Sequence, residues 1–528
     1  MEKGTLEGKR FEDGFKGKQT RVRRILNGDS IFGKSNENSV ADDTAIERKV
    51  LDTVDGKPIV IETDRIQVKE RIGLAGGISF VMGAIIGSGI FISPKGALQN
   101  SGSIGLCLLI WALCGILSMI LGLVYAELGV MLPKSGGDYT IIKTGIGRVP
   151  AFLVSWTKCI VSPGGSTVQA LVFADYVCAP IFGKCGAPNS IRKSIAAAEL
   201  LILAITNTIS VRLVSSMQGL FTVLKVMVLV IIIVGGFVSL FEGKTENFND
   251  AFQGSTNDVT SISLAIYSCM WAYSGYTNLN EIAEELIQPK KNIPRAIVLS
   301  MTFITMIYMC TNVSYFTILS KSEFLTVSAV AYSWGEKILG TAAIIIPIGV
   351  MCSVHGNANG GFFTEIRVRF AAARAGHLPE VLSFLHHKSR IPLASLFLNT
   401  LFSLIFLIPG DVGELINLVS FVGFLVESLT FIAYFRIRYQ RRKVKRNEGE
   451  FRIPLFIPVI ALAICAFMLI SPFVSNPRIE FLYGVGFILS GLVLYIPFVH
   501  LGWSIPGTNL LTMLAQLLWD ICPTILEE

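Results

Sequence analysis

Long apolar stretches, separated by short polar segments, make up most of the chain after its first 71 residues. A helix needs roughly 20 mostly apolar residues to cross a bilayer, and twelve stretches come close to that length. The pattern therefore predicts an all-α membrane protein with twelve transmembrane helices. Their predicted positions are 74–98, 104–131, 150–182, 194–211, 214–241, 261–287, 295–319, 338–364, 391–409, 413–434, 454–473 and 480–499.

The overall composition agrees with a membrane protein. Hydrophobic residues make up 52% of the 528 positions and charged residues 16%, which is too apolar for a soluble globular chain of this size. The first 71 residues differ, since they are polar, carry both charge signs and contain neither an apolar run nor a signal-peptide pattern. We predict that this tail is disordered or loosely folded.

Basic residues cluster in the loops that follow even-numbered predicted spans. Positively charged loops stay on the cytoplasmic side of a membrane, so both chain termini are predicted to be cytoplasmic. We favour this role of the basic residues at the membrane surface, where they set the orientation, over nucleic-acid binding. The basic residues are Lys290, Lys291 and Arg295 after the sixth span, Arg367, Arg369 and Arg374 after the eighth, and Arg436, Arg438, Arg441, Arg442, Lys443, Lys445 and Arg446 after the tenth. The predicted segments are a cytoplasmic tail at 1–71, a helical core at 72–436, a basic cytoplasmic linker at 437–453, helices eleven and twelve at 454–499 and a cytoplasmic tail at 500–528.

The first predicted span contains a helix-breaking sequence in its centre, GAIIGSGIF at 83–91. Glycine loses more backbone freedom on folding than other residues, so the glycines around Ser88 favour an unwound turn. Unwound backbone inside a bilayer leaves N–H and C=O groups without partners, and it is tolerated where it lines a cavity. The break therefore predicts a binding site at mid-membrane depth, as in secondary transporters.

The sixth predicted span is interrupted in the same way, by WAYSGYTNLN at 271–280. The two breaks lie five spans apart, and five further spans lead to the basic segment near Arg436. The chain thus divides as five plus five plus two. Matching breaks in two halves indicate a transporter built from inverted repeats. The alternative is that these glycines only allow helices to pack closely.

Several motifs, in order along the chain, resemble those of one transporter family. They are GAIIGSGIF at 83–91, YAELG at 125–129, SGGDY at 135–139, EELIQPKKNIPRAI at 284–297 and GHLP at 376–379. They resemble the L-type amino acid transporters, the light subunits of heteromeric amino acid transporters in the amino acid–polyamine–organocation superfamily. SVRL at 210–213 and NVSYF at 312–316 look most like the b(0,+)-type branch.

The resemblance implies a fold and an activity. The fold is LeuT-like, with a five-plus-five inverted repeat, broken helices one and six and two extra helices. The activity is obligatory, sodium-independent exchange of amino acids across the plasma membrane, and no cofactor or metal is implied.

A zwitterionic substrate brings a carboxylate and an ammonium, which lose water on binding and need new partners. The second half of span one begins with N–H groups and a positive dipole end that suit the carboxylate. The first half of span six ends with carbonyls that suit the ammonium. The residues that match the family's binding pattern, or lie beside it at these helix ends, are Ile85, Gly87, Ser88, Gly89, Ile90, Trp271, Ala272 and Ser274.

Two of the candidate residues have further implied roles. Trp271 matches the position at which the family places an aromatic gate over the substrate, although an ordinary core or interfacial tryptophan is the alternative. Lys225 lies about eleven residues from either end of its span, roughly 16 Å at helical rise, which is too deep for its stem to reach water. The resemblance implies that a lysine at this position in the family acts as a fixed cation and takes the place of a sodium ion. A purely structural lysine is the alternative.

Ser274 and Cys185 carry the remaining predictions. The resemblance implies that transporters of dibasic amino acids carry an aspartate at the position of Ser274. We expect no other acid near the breaks, apart from Asp175 near the outer end of its span. We therefore predict neutral, large or aromatic substrates. Cys185 lies in GKCGAP, in an outward loop, and matches the family cysteine that joins a single-span glycoprotein heavy chain.

Three other functions remain as alternatives. A proton-coupled or facilitative amino acid carrier would work without a heavy chain. A membrane-embedded enzyme would need a catalytic or metal cluster within the spans, for which the sequence offers no pattern. A channel would not need a closed mid-membrane site, whereas broken helices favour alternating access.

Overall fold

The computed structural model describes the chain with several gaps. The described residues are 44–54, 57–66, 72–133, 137–183, 186–209, 211–281, 283, 286–387, 389, 391–443, 451–474, 479–501, 503 and 508–523. They belong to two units, Met1–Glu70 and Arg71–Glu528.

The first unit contains an antiparallel hairpin. Strand β1, Thr44–Val54, pairs with strand β2, Lys57–Ile66, with a register shift after Val50. The disordered or loosely folded tail stays a prediction, and residues 1–43 of it lie outside the described residues. Valines, isoleucines and threonines are frequent in both strands, and the connecting Asp-Gly sequence favours a two-residue hairpin turn.

The described residues of the second unit are mainly helical, with two short strands, β3 Leu385–His386 and β4 Ile521–Cys522, which pair antiparallel. Its helices are α1 Leu74–Ile85, α2 Gly89–Ser101, α3 Ile104–Met131, α4 Gly137–Gly145, α5 Arg148–Phe182, α6 Asn189–Ile209, α7 Val211–Phe241, α8 Val259–Tyr273, α9 Asn278–Glu281, α10 Pro289–Ile318, α11 Lys321–Thr326, α12 Val330–Leu339, α13 Ile345–Arg374, α14 Leu393–Phe406, α15 Val412–Gln440, α16 Phe456–Ile470, α17 Ile479–Leu494 and α18 Thr508–Trp519.

Seven helices among the described residues are long and apolar enough to cross a membrane, or eight if the bent pair α1–α2 is one span. This confirms a helical protein with many membrane spans. The predicted number of twelve is larger by four. Three of these four, α8, α14 and Gly484–His500, are apolar but shorter than a full span, and the fourth, α6, is not among the helices that are apolar enough to cross.

Polar side chains fix several helix starts. Ser103 accepts a hydrogen bond from Leu106 N at the start of α3, and Asp258 accepts one from Ser261 N at the start of α8. Asp411 does the same for α15. Each side chain satisfies one of the N–H groups that a helix cannot pair internally, so these residues define where the helices begin.

An aromatic cluster of the core lies where α3, α8 and α10 meet. Trp111, Tyr273 and Tyr308, one from each helix, are buried and make mutual ring contacts with centroids 5.1–5.8 Å apart. Aromatic contacts of this kind add to the stabilisation that comes from burial alone. Tyr273 is the last residue of α8, so the cluster packs directly against the interruption that follows this helix.

Candidate functional site

The first interruption separates α1 from α2 over residues 86–88, and the two helices meet at 47°. Ile86 has φ −74° and ψ 91°, which takes the backbone out of the helical region. Ser88 precedes α2 and makes no side-chain capping hydrogen bond, and its carbonyl accepts hydrogen bonds from Phe91 N and Ile92 N. The predicted break in the first span is therefore present, at the predicted residues.

The second interruption separates α8 from α9. Ser274 is extended, with φ −66° and ψ 147°, and Gly275 has φ +123°, a conformation that residues with a Cβ rarely adopt. The sixth predicted span is thus also broken, within the predicted sequence. Its N-terminal half ends at Tyr273, and the continuation after the break is the single turn α9.

The two interruptions are in direct contact. A Cβ atom added to Gly89 would lie 2.4 Å from the Ala272 Cα atom, and one added to Gly275 would lie 3.0 Å from the Ile85 side chain. Only glycine allows backbones to approach this closely. The structure therefore brings together, at one place, residues from both halves of the chain that the sequence assigned to a single site.

The chemical groups at this place are of two kinds. The first turn of α2 presents N–H groups that have no partner within their own helix, at Gly89 and Ile90. The end of α8 presents carbonyls, of which Trp271 O accepts from Ser274 Oγ at 2.7 Å. N–H groups suit a carboxylate and carbonyls suit an ammonium, so the arrangement has a donor side and an acceptor side.

Lys225 on α7 holds the end of α1. Its side chain is 1% exposed, and Nζ donates hydrogen bonds to Gly83 O at 2.7 Å and to Ile86 O at 2.8 Å. Carbonyls at a helix end have no partner within the helix, so the ammonium supplies donors that water cannot provide in a buried place. The predicted proximity of Lys225 to the first break is present.

Tyr308 on α10 is a site residue that the sequence reasoning missed. Its hydroxyl lies 3.0 Å from Ile85 O and 3.1 Å from Ala272 O, so one group is shared between both breaks. A tyrosine within an apolar helix carries no sequence signal of such a role. Only the three-dimensional arrangement reveals it.

Trp271 and Ser274 line an accessible space at the second break. Ser274 is exposed and Trp271 half-buried, although their neighbours Ala272 and Tyr273 are buried. The Trp271 ring lies against α5, since a Cβ added to Gly165 would be 3.3 Å from ring atom Cη2. The ring thus spans from the second break to a neighbouring helix, where it could cover a bound side chain.

The expectation that no other acid lies near the breaks is wrong. Glu427 on α15 accepts a hydrogen bond at 2.6 Å from the hydroxyl of Tyr276, a residue of the second break. Glu281 lies on α9 immediately after that break. Glu427 is about 150 residues away along the chain, so only the packing of α15 against α8 brings it here. Asp175 pairs instead with Arg192, at 2.5 Å.

Two of the motifs contact each other beyond the second break. Tyr139, at the end of SGGDY, is hydrogen-bonded to Nδ1 of His377, in GHLP, at 3.2 Å. Burial lowers the pKa of His377 to about 4, so its ring is neutral near pH 7.

Asp138, beside Tyr139, joins three helices. It accepts hydrogen bonds from Tyr125, Lys158 and Thr430, which lie on α3, α5 and α15.

A cavity of about 600 Å³ lies between α2, α5, α8 and α15. Its lining includes Phe91 at the start of α2, Ser268 of α8 and the Asp175–Arg192 ion pair. The cavity therefore reaches the helix that begins at the first break. Cys185 lies outside the described residues.

Comparison with known proteins gives consistent matches over most of the chain. A family model described as amino acid permease matches residues 72–498. The chain is 39% identical to the b(0,+)-type amino acid transporter 1 of Mus musculus over 485 residues, which covers 91% of this chain and 99% of the relative.

Two other relatives match at similar identity. The cystine/glutamate transporter of Homo sapiens is 39% identical over 439 residues, covering 83% of this chain and 86% of the relative. The large neutral amino acids transporter small subunit 2 of Oryctolagus cuniculus is 39% identical over 445 residues, covering 83% and 82%. These similarities confirm the resemblance predicted from the motifs. They are to transporters, and the matched residues contain both breaks, so the chain belongs to the amino acid permease family.

Proposed function

We propose that this chain is a sodium-independent amino acid exchanger of the plasma membrane. The observation that carries the proposal is the contact between the two breaks, at Gly89 and Ala272, which places a helix start opposite a helix end. The three relatives above are named as transporters of amino acids, including cystine, glutamate and large neutral amino acids. A zwitterion would bind with its carboxylate on the N–H groups of α2 and its ammonium on the carbonyls of α8.

Lys225 supports the independence from sodium. A sodium ion at a broken helix would be coordinated by oxygen atoms, including backbone carbonyls. Here Nζ of Lys225 already lies 2.7 and 2.8 Å from two such carbonyls, so the lysine side chain takes the place that a sodium ion would occupy at the end of α1.

We also propose the full twelve-span arrangement with a five-plus-five inverted repeat. Counting α1–α2 and α8–α9 as one broken span each, and α12–α13 as one span joined by the 3₁₀ turn Gly340–Ile344, gives twelve. The spans that complete this count are α3, α5, α6, α7, α10, α14, α15, α16 and α17. With this count the basic residues lie where an even-numbered span ends or the next span begins, at the start of α10, the end of α13 and the end of α15, which supports cytoplasmic termini.

Neutral, large or aromatic amino acids are the proposed substrates. Ser274 is exposed at the second break and its hydroxyl donates to Trp271 O, so it presents no charge to a substrate. One carboxylate oxygen of Glu427 accepts a hydrogen bond from the Tyr276 hydroxyl. In Ser274→Asp, arginine uptake should rise relative to leucine uptake, with Ser274→Ala as the control. The proposed selectivity would be contradicted if Ser274→Asp left arginine uptake unchanged. It would also be contradicted if the unmodified protein took up arginine and Glu427→Gln lost that uptake.

A disulfide-linked glycoprotein heavy chain is the proposed partner, joined through Cys185. The loop sequence and the family resemblance support this. On non-reducing gels of cell membranes, a high-mass band should disappear in Cys185→Ser and persist in Cys522→Ser, since Cys522 is an exposed free cysteine elsewhere in the chain. Persistence of the band in Cys185→Ser would rule out this linkage.

The activity itself is tested in proteoliposomes. Vesicles preloaded with leucine should take up labelled leucine at the same rate when choline replaces sodium. The same uptake should be compared with and without a proton gradient, because a proton-coupled carrier would respond to it. A requirement for sodium would contradict the role of Lys225, and a requirement for protons would favour the proton-coupled alternative.

A further inference from the structure

Helix α18 carries an exposed apolar face. Four of its side chains, Met513, Leu514, Leu517 and Leu518, are 50, 44, 75 and 76% exposed. The helix sequence, TNLLTMLAQLLW, contains no charged residue. A helix outside a bundle normally turns charged or polar side chains to water, so this face is expected to contact something other than water.

The opposite side of α18 is attached to the protein. Ala515 and Trp519, one helical turn apart, pack on an apolar cluster that includes Leu382 and Phe384. The segment that follows the helix pairs with β3, and His387 N donates to Asp520 O at 3.0 Å. Because the helix is held by this side, the four exposed side chains point away from the cluster.

Helix α18 packs, through Trp519, beside an exposed apolar stripe on α14. Phe397, Leu401 and Ile405 are spaced four residues apart on α14 and are 53, 40 and 46% exposed, so they form one apolar stripe. On an apolar helix of a membrane protein, such a stripe contacts lipid chains. The Trp519 ring contacts the Phe397 ring, with centroids 5.2 Å apart, so α18 lies at one end of this stripe.

A second feature points to the membrane boundary. Leu501 and Trp503, between α17 and α18, are 54 and 64% exposed. Exposed tryptophans of membrane proteins concentrate at the level of the lipid headgroups. The chain therefore reaches α18 through a segment that suits the same interface.

We propose that α18 lies along the cytoplasmic leaflet, with Met513, Leu514, Leu517 and Leu518 inserted between the lipid chains. The ligand of this surface is the lipid bilayer itself. The choice of leaflet rests on the orientation proposed above, whereas the contact with lipid does not. An amphipathic helix of this kind binds by burying its apolar face at the headgroup boundary.

The proposal is tested with the full chain in phospholipid nanodiscs. A nitroxide label is placed at Leu518→Cys, or at Gln516→Cys on the other side of the helix, in a background carrying Cys522→Ser and Cys185→Ser. The label at 518 should collide severalfold more often with oxygen, which concentrates in lipid, than with a water-soluble nickel complex. The label at 516 should show the smaller ratio. The background without an added cysteine gives the signal from the remaining thiols.

Each other outcome overturns the proposal. A label at 518 that collides freely with the nickel complex faces water, and one shielded from both reagents is covered by protein. As a second test, Leu517→Asp combined with Leu518→Asp should speed hydrogen exchange of 508–519 in nanodiscs, whereas Gln516→Asp should not. Leucine exchange is measured in the same preparations, so that lipid contact without exchange would contradict the proposed function alone.

Discussion

At the scale of single residues, the site depends on a few side chains that satisfy backbone carbonyls at the helix breaks. Lys225 donates to Gly83 O and Ile86 O, and Tyr308 lies between Ile85 O and Ala272 O. A buried carbonyl that loses its donor costs about 1–3 kcal/mol. The shape of the site is therefore maintained by groups that the substrate need not touch.

Replacing Lys225 with methionine should both destabilise the protein and abolish exchange. The apolar stem is kept, but two buried carbonyls lose their donor, which costs about 1–3 kcal/mol each. Thermal unfolding of the purified protein and leucine exchange in proteoliposomes measure the two effects. Lys244→Met is the control, since Lys244 is 56% exposed in an ion pair with Glu242. Equal behaviour of the two variants would show that Lys225 has no special role.

Tyr308→Phe should slow exchange about tenfold, which corresponds to the loss of about one hydrogen bond, with a smaller effect on the apparent affinity for leucine. The ring contacts with Trp111 and Tyr273 remain, so the fold should persist. Tyr315→Phe is the matched control on the same helix, because the buried Tyr315 hydroxyl makes no hydrogen bond within the described part of the chain. If Tyr308→Phe exchanges as fast as Tyr315→Phe, the hydroxyl does not couple the two breaks.

Lys225 could be identified from sequence because a single charge deep in an apolar span is conspicuous. Tyr308 could not, since tyrosine is common in membrane helices and its partners lie on α1 and α8. Glu427 was missed for a related reason. It is distant from Tyr276 in sequence, and only the packing of α15 beside the second break brings them together.

At the scale of elements, the glycines determine how closely the broken helices approach. Gly89 permits α2 to meet α8 at Ala272, and Gly275 adopts a left-handed conformation in the second break. The breaks were predictable, because clustered glycines disfavour a continuous helix within an apolar span. Helices α4 and α18 were not predicted, since both are too short to give a membrane-span signal. The β1–β2 hairpin was missed because its strands are rich in charged residues.

Gly89→Ala should abolish exchange while the protein still reaches the membrane. The added methyl group would lie 2.4 Å from the Ala272 backbone, so α2 and α8 must separate. Gly423→Ala on α15 is the control, since nothing lies within 4 Å of its added Cβ. Labelled leucine exchange, normalised to surface protein, compares the two. Full activity of Gly89→Ala would contradict the close contact.

The Tyr139–His377 contact between two motifs should make stability depend on pH. Burial lowers the pKa of His377 to about 4, while an unfolded histidine has a pKa of about 6.5. The unfolded chain therefore binds a proton more readily in this interval, and stability should fall as the pH drops from about 6.5 towards 4. The fall in melting temperature between pH 7 and pH 5 should be smaller in His377→Asn than in the exposed control His387→Asn. Equal falls would show that His377 is not the titrating group.

At the scale of the whole molecule, two distant parts of the chain combine into one site. The first break lies near the start of the helical unit and the second almost 200 residues later, yet they touch. The pattern of apolar segments predicts that the two breaks meet only if the chain is taken to consist of two repeated halves. The family model matches both parts of the chain in one continuous stretch, residues 72–498, which contains both breaks.

Exchange as opposed to one-way transport is the central claim, and trans-stimulation tests it most directly. Proteoliposomes containing the purified chain are loaded with labelled leucine and diluted into sodium-free buffer with or without external leucine. We predict that label leaves rapidly only when external amino acid is present, and that Gly89→Ala vesicles retain it in both buffers. Equally rapid loss of label without external amino acid would contradict the exchanger and show a facilitative carrier or a channel instead.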